Sequence, residues 1–279
     1  MMGVVNSAQH DSSVDLNKAI RKSNNGDTIQ LIDGVYRNNV TDIVIDKNLT
    51  IQGNSKDNNI IDAANMGRIF NITPGNKLIL INISFINRFA ALNSNTGGII
   101  YNNQSTLIIE DYIFDNNIAN RSGGVIYNTG NITIKNSEFT NNQIIQNFDT
   151  QFVSGGVIYT NGGICEIFNS IFLNNSLSYN RLSGSGGGVI YQASGITRIY
   201  HSNFQSNFAN NTVAGILYID KGDLEIFSSI FLNIIQQQMQ VLYFIVELIM
   251  ELLKSIILHL VIILHMLGMV VSYKQTIFK

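Results

Sequence analysis

The sequence predicts an all-β protein, a right-handed single-stranded parallel β-helix with a short N-terminal capping helix, and three observations carry the prediction. A five-residue phrase recurs as Gly97-Gly98-Ile99-Ile100-Tyr101, Gly123-Gly124-Val125-Ile126-Tyr127, Gly155-Gly156-Val157-Ile158-Tyr159, Gly187-Gly188-Val189-Ile190-Tyr191 and Ala214-Gly215-Ile216-Leu217-Tyr218. Each copy is followed 12 or 13 residues after its Tyr by a Phe, namely Phe114, Phe139, Phe172, Phe204 and Phe231. Glycine is frequent (23), proline almost absent (1) and tryptophan absent. β-Branched residues suit pleated surfaces, while Asn and Gly accept tight turns.

The copies start 26, 32, 32 and 27 residues apart, so strands of constant length alternate with loops of variable length. Between the landmarks lie alternating segments such as Ile132-Thr133-Ile134-Lys135, whose period of two sends the Ile side chains to one face. A single such unit cannot bury its apolar face alone, and stacking on its neighbours is the physical solution. Residues 17–90 carry a looser version of the pattern. Asp15-Leu16-Asn17-Lys18-Ala19-Ile20 reads as a capped helix, followed by strands at Thr28-Ile29-Gln30-Leu31, Leu49-Thr50-Ile51-Gln52 and Lys77-Leu78-Ile79-Leu80. A helix at this place covers the open end of the stack.

The chain therefore divides into a leader or linker over residues 1–14, a repeat-built β-helix over 15–233 and an apolar C-terminal segment over 234–279. The last segment changes character: no Asn follows Asn233, and the run from Val241 to Val271 is largely apolar. It reads as a frameshifted repeat, with a capping or membrane helix as the alternatives. Shifted codon junctions turn Met239/Gln240 into Ala, and Met250/Glu251 and Met269/Val270 into Gly, where a further repeat is due. Membrane association stays open on this reading.

Charged residues are 13% of the chain and the net charge is -2, with no cluster of Lys or Arg, which excludes a nucleic-acid partner. One cysteine, Cys165, excludes an internal disulfide framework. No basic-then-apolar secretion signal follows Met1. No motif asks for a cofactor or a metal.

Aligning the copies on their Phe predicts which residues stack. Leu107, Ile132, Cys165, Thr197 and Leu224 share an inward column, which makes Cys165 a core residue and not a nucleophile. Asp111, Asn136, Asn169, His201 and Ser228 share a turn, which makes His201 a turn residue and not a base. One outward column reads Ile108, Thr133, Glu166, Arg198, Glu225 and is expected to form an exposed ion-pair ladder. The next reads Glu110, Lys135, Phe168, Tyr200, Phe227. Its aromatics Phe168, Tyr200 and Phe227 are the candidate binding residues, able to hold sugar rings or another protein.

The Gly-Gly-Val-Ile-Tyr and Phe-x-Asn-Asn phrases resemble the repeats of polymorphic outer-membrane proteins. The opening Gly26-Asp27-Thr28-Ile29 and Asn48-Leu49-Thr50-Ile51-Gln52-Gly53 are similar to adhesin-like surface proteins of methanogenic archaea, whose fold is pectin-lyase-like. The resemblance covers residues 15–233. It implies an extracellular or cell-surface protein, a non-catalytic adhesin or structural scaffold with host or microbial surface glycans or proteins as partners. A passive spacer and a polysaccharide lyase or glycoside hydrolase are the alternatives. The sequence has no Asp-Asp, Gly-His-Gly or Arg-Ile-Lys motif of the β-helical pectin-degrading enzymes, so the expectation is that it is not an enzyme.

Overall fold

Alternation of apolar and polar residues over three to five positions makes strands too short to stand alone, and here each pairs with its counterparts one repeat away. The computed structural model describes residues 7–62, 67–89, 98–146, 153–179, 186–210, 215–233 and 235–237. Every strand pair is parallel, in one 14-stranded and one 12-stranded sheet. The fold is the expected all-β parallel β-helix.

Each turn of the helix runs through three walls. The first holds Ile43–Ile45, Phe70–Ile72, Ile100–Asn102, Ile126–Asn128, residues 158–160 and 190–192, and Leu217–Ile219. The second runs through Thr28–Leu31, Leu49–Gly53, Lys77–Ile81, Thr106–Glu110, Asn131–Lys135, residues 164–168 and 196–200, and Asp223–Phe227. The third includes Ser84–Phe89, Ile113–Ala119, Glu138–Thr140, Ile171–Leu173, Asn203–Gln205 and Ile230–Leu232. Ser7–His10, within the segment read as leader or linker, is a strand paired with Thr28–Leu31.

The double glycine that opens the copies at 123, 155 and 187 sets the entry into the first wall. Gly123, Gly155 and Gly187 adopt φ of 70°, 68° and 67°, a left-handed conformation that favours glycine. The glycine after each packs backbone on backbone: a Cβ on Gly156 would fall on the carbonyl oxygen of Gly188 in the next turn.

Inside, the recurring Phe residues form one stack. Phe114, Phe139, Phe172 and Phe204 are fully buried, with successive ring centroids 4.7, 4.7 and 4.5 Å apart and interplanar angles of 10° or less. Each buried ring contributes about 1.5–3 kcal/mol of transfer free energy. The expected inward column is in register, with Leu107, Ile132, Cys165, Thr197 and Leu224 paired in succession.

Polar ladders close the corners. Asp111, Asn136, Asn169, His201 and Ser228 all take φ between 46° and 56°, so the predicted turn column is a left-handed one. One residue later Ser137, Ser170, Ser202 and Ser229 are buried, each amide of the first three bonding the next serine's Oγ at 3.1–3.2 Å. In Phe-x-Asn-Asn the two asparagines divide the work. Asn141 and Asn174 turn the chain at φ 55°, while Asn142 and Asn175 point inward and join Asn117 and Asn207 in a buried amide ladder.

The helix Leu16–Lys22 starts at Asp15, whose carboxylate accepts from the amide of Lys18 at 2.8 Å. Leu16 and Ile20 are buried in the core cluster, so the helix packs on the solenoid through its apolar stripe. Among the described residues no helix is long and apolar enough to cross a membrane. Apart from the strand Ile235–Gln237, the apolar segment over 234–279 lies outside the described residues.

Candidate functional site

With core and corners occupied by structural ladders, the outward columns remain for function. Phe168, Tyr200 and Phe227 stand in register on the outside of the second wall, centroids 4.8 and 5.0 Å apart with interplanar angles of 5°. The structure thus brings together the three aromatics that the alignment put in one column. Their orientation has a chemical consequence. Each ring uses its faces on its neighbours, so the stack presents ring edges and not a flat face for a sugar to lie on.

Two residues earlier on the same strands, Arg198 lies between two carboxylates, its Nε 3.1 Å from Glu225 Oε2 and its Nη1 3.7 Å from Glu166 Oε1. This is the ion-pair ladder read from the sequence. The hydrogen bond and charge of Glu225 hold the guanidinium firmly in its charged form.

The two residues weighed as catalytic candidates sit in structural places. Cys165 is fully buried and its thiol is pushed up to about 12, first by burial and then by the charge of Glu166, which makes it a poor nucleophile. His201 is exposed at a left-handed turn with φ 49°. Among the described residues no three His, Cys, Asp or Glu side chains gather to hold a metal ion.

A second outward column, which the sequence reading used only as a landmark, is longer. Tyr101, Tyr127, Tyr159, Tyr191 and Tyr218 are in register along the outside of the first wall. Centroids are 5.5, 4.5, 5.3 and 5.2 Å apart, and the last four rings are near parallel. All five are partly exposed. The Arg68 guanidinium covers the lower end, 5.2 Å from the Tyr101 ring centre. Partial burial, reinforced by Tyr159, raises the Tyr127 phenol well above its usual range. Burial also raises the Tyr191 phenol, to about 12. These hydroxyls therefore stay protonated, each able to donate and accept. The signal was present: in Ile126-Tyr127-Asn128 the Ile faces the core, so alternation sends the Tyr outward.

Beside this column, where the first wall turns into the second, lies a solvent-open cleft of roughly 300 Å³. Asn76, Gln104, Thr106, Thr129 and Asn131 line it from three successive turns. Gln104 and Thr129 follow Tyr101 and Tyr127 by three and two residues, so the cleft sits just past the ends of the strands that carry these tyrosines.

No family model and no curated protein matches the chain. Among solved structures it is similar to a PL6 family alginate lyase, AlyGC, at 13% identity and a TM-score of 0.42, over 82% of this chain and 39% of that one. A point mutant of the same lyase gives 16% identity and a TM-score of 0.41, over 86% and 35%. The chain thus spans well under half the length of those lyases, and the likeness is one of fold. Nothing found supports the resemblance to archaeal adhesins or outer-membrane repeats beyond the pectin-lyase-like architecture. The expectation that the chain is not an enzyme is corrected: the solved structures it resembles are polysaccharide lyases on a parallel β-helix, and missing pectinase motifs exclude catalysis on this scaffold no more than fold establishes it.

Proposed function

We propose that this β-helix binds a polysaccharide laid along the stack over the tyrosine column, and that it does so outside the cell or at its surface. The observation that supports this is the column itself, five tyrosines in register on five successive turns. Strand spacing repeats the same group every ~4.8 Å, which suits a ligand that itself repeats along one axis. A tyrosine ladder offers such a chain apolar ring edge for its C–H groups and a phenolic hydroxyl for its hydroxyls at every turn. Phe168, Tyr200 and Phe227 extend the apolar edge on the adjoining wall and are proposed as secondary contacts.

Affinity electrophoresis of the full chain through gels containing different polysaccharides tests the reading. At least one glycan is expected to retard the protein, and Tyr127→Ala/Tyr159→Ala/Tyr191→Ala to abolish the retardation while keeping the β-sheet circular dichroism spectrum. Retardation by no glycan, or undiminished retardation of the folded triple variant, would end it. Because the similar solved structures are lyases, the same mixtures are to be followed for shortening of the polymer and for the ultraviolet absorbance of unsaturated sugar ends.

A further inference from the structure

The corner beside the tyrosine column is free of charged residues over five successive turns. Residues 73–76 read Thr-Pro-Gly-Asn, 103–106 Asn-Gln-Ser-Thr, 129–131 Thr-Gly-Asn, 161–164 Asn-Gly-Gly-Ile and 193–196 Ala-Ser-Gly-Ile. Charge returns only at its two ends, with Lys77 below and Asp220, Lys221 and Asp223 above. The cleft lies within this stretch and is lined by amides, hydroxyls and glycine backbone alone. On the neighbouring outward columns of the second wall Arg198 is matched by Glu166 and Glu225 and Lys135 stands in register with Glu110, while the exposed Lys77 borders the lower edge of the cleft, in register with Thr106.

We infer that the bound polysaccharide is an uncharged one, and that Gln104 and Asn131 in the corner cleft, braced by Thr129, form the subsite that reads its hydroxyls. The inference rests on the proposed polysaccharide binding and adds the class of ligand. A polyuronate carries a carboxylate on every sugar. Laid along this corner, only a carboxylate at the lower edge would meet a cation, Lys77; over the turns above it, each would give up water on contact with nothing charged to compensate. Sugar hydroxyls need both donors and acceptors at close spacing, which Asn, Gln and Thr side chains supply. The subsite is held in shape from within: Asn131 Oδ1 accepts from the amide of Ile164 at 3.0 Å, and Thr129 Oγ1 accepts from the amide of Gln104 at 3.0 Å. Those bonds leave the Asn131 amide hydrogens and the exposed Gln104 side chain to face a ligand.

The test sets neutral polysaccharides (glucan, mannan, xylan, galactan) against alginate and polygalacturonate, with the full chain and at low and high salt. Retardation by a neutral glycan, changing less than about twofold with salt, is the expected result. Gln104→Glu/Asn131→Asp keeps side-chain size and the acceptor that holds Ile164, but removes both amide donors. It should weaken neutral-glycan binding about five- to tenfold, at an unchanged melting temperature. Stronger, salt-sensitive binding of a polyuronate would overturn the inference while leaving polysaccharide binding intact. Wild-type affinity in the folded double variant would overturn the subsite, and retardation by no glycan at all would remove the underlying reading with it.

Discussion

Replacing Asn175 by Ala tests the buried amide ladder where it is most connected. Its side chain is fully buried and makes four hydrogen bonds: Nδ2 donates to Phe139 O at 2.8 Å and to Asn207 Oδ1 at 3.0 Å, while Oδ1 accepts from Asn142 N at 3.0 Å and Asn142 Nδ2 at 2.9 Å. After truncation Asn142 Nδ2 keeps Phe114 O and Asn207 Oδ1 keeps the amide of residue 175, but the backbone N–H of Asn142 is stranded in the interior. A stranded buried donor costs about 1–3 kcal/mol and each further lost bond roughly 0.5–1.5, so the loss should be roughly 3–7 kcal/mol. The adjacent Asn174 is the control. It is exposed at φ 55°, so Asn174→Gly should stay within about 0.5 kcal/mol of the parent, because glycine adopts that conformation freely. Urea unfolding monitored by circular dichroism gives the two differences, and amide exchange at Asn142 localises the damage. A loss under about 1 kcal/mol for Asn175→Ala, or a larger one for Asn174→Gly, would refute the ladder.

Gly156→Ala puts a Cβ on the carbonyl oxygen of Gly188, backbone that cannot rotate away, so soluble yield and melting temperature should fall sharply, whereas Gly26→Ala, with open space around it, should cost about 1–2 kcal/mol for its left-handed φ alone. Thr197 is fully buried and its Oγ1 has no partner among the described residues, so Thr197→Val should raise stability by about 1 kcal/mol in the same urea experiment; a loss would mean that the hydroxyl is satisfied. Alkaline stability follows from Cys165. Below its ordinary value of 9 the thiol is protonated in both states and its contribution is intact; as pH rises from 9 towards about 12 only the unfolded chain releases the proton, and stability on the order of 4 kcal/mol is lost progressively. Tyr36 and Tyr191, raised from 10 to about 12, steepen the decline above pH 10, and an unfolding midpoint unchanged between pH 8 and pH 11 would contradict both assignments.

How much of this is legible in the sequence depends on whether strand phase can be followed through the corners. Inside a strand it can: alternation placed Cys165 and Thr197 inward and Phe168, Tyr200 and Phe227 outward, and the register agrees. A left-handed residue breaks the period of two. Asn141 and Asn174 turn the chain, and the next residue enters the interior although alternation counted through the turn does not require it. That is why the second Asn of each pair reads as turn in the sequence and is core in the structure. The tyrosines were missed for the opposite reason. A residue repeated at every copy looks like a fold determinant, yet this one faces solvent, where repetition makes a surface instead of a core. Ring orientation is outside the reach of sequence altogether, since residues in register on parallel strands share a side-chain conformation and stack only once packed.

The translational regularity that makes the solenoid stable also sets how it engages a polymer. Each turn adds one tyrosine, and the hydrogen bond its hydroxyl can make to a sugar is worth about 0.5–1.5 kcal/mol net, too little to hold a single sugar at useful affinity. Turns on one rigid stack act together, however, because once one is engaged its neighbours meet the next sugars at high effective concentration. Losing one tyrosine should therefore weaken binding modestly, about 2- to 12-fold for Tyr159→Ala. Removing two or three should multiply these factors, and short oligosaccharides should compete poorly with the polymer. A single tyrosine whose removal abolished binding would point instead to one discrete pocket, and a ligand read by repetition along the first wall would then be the wrong description.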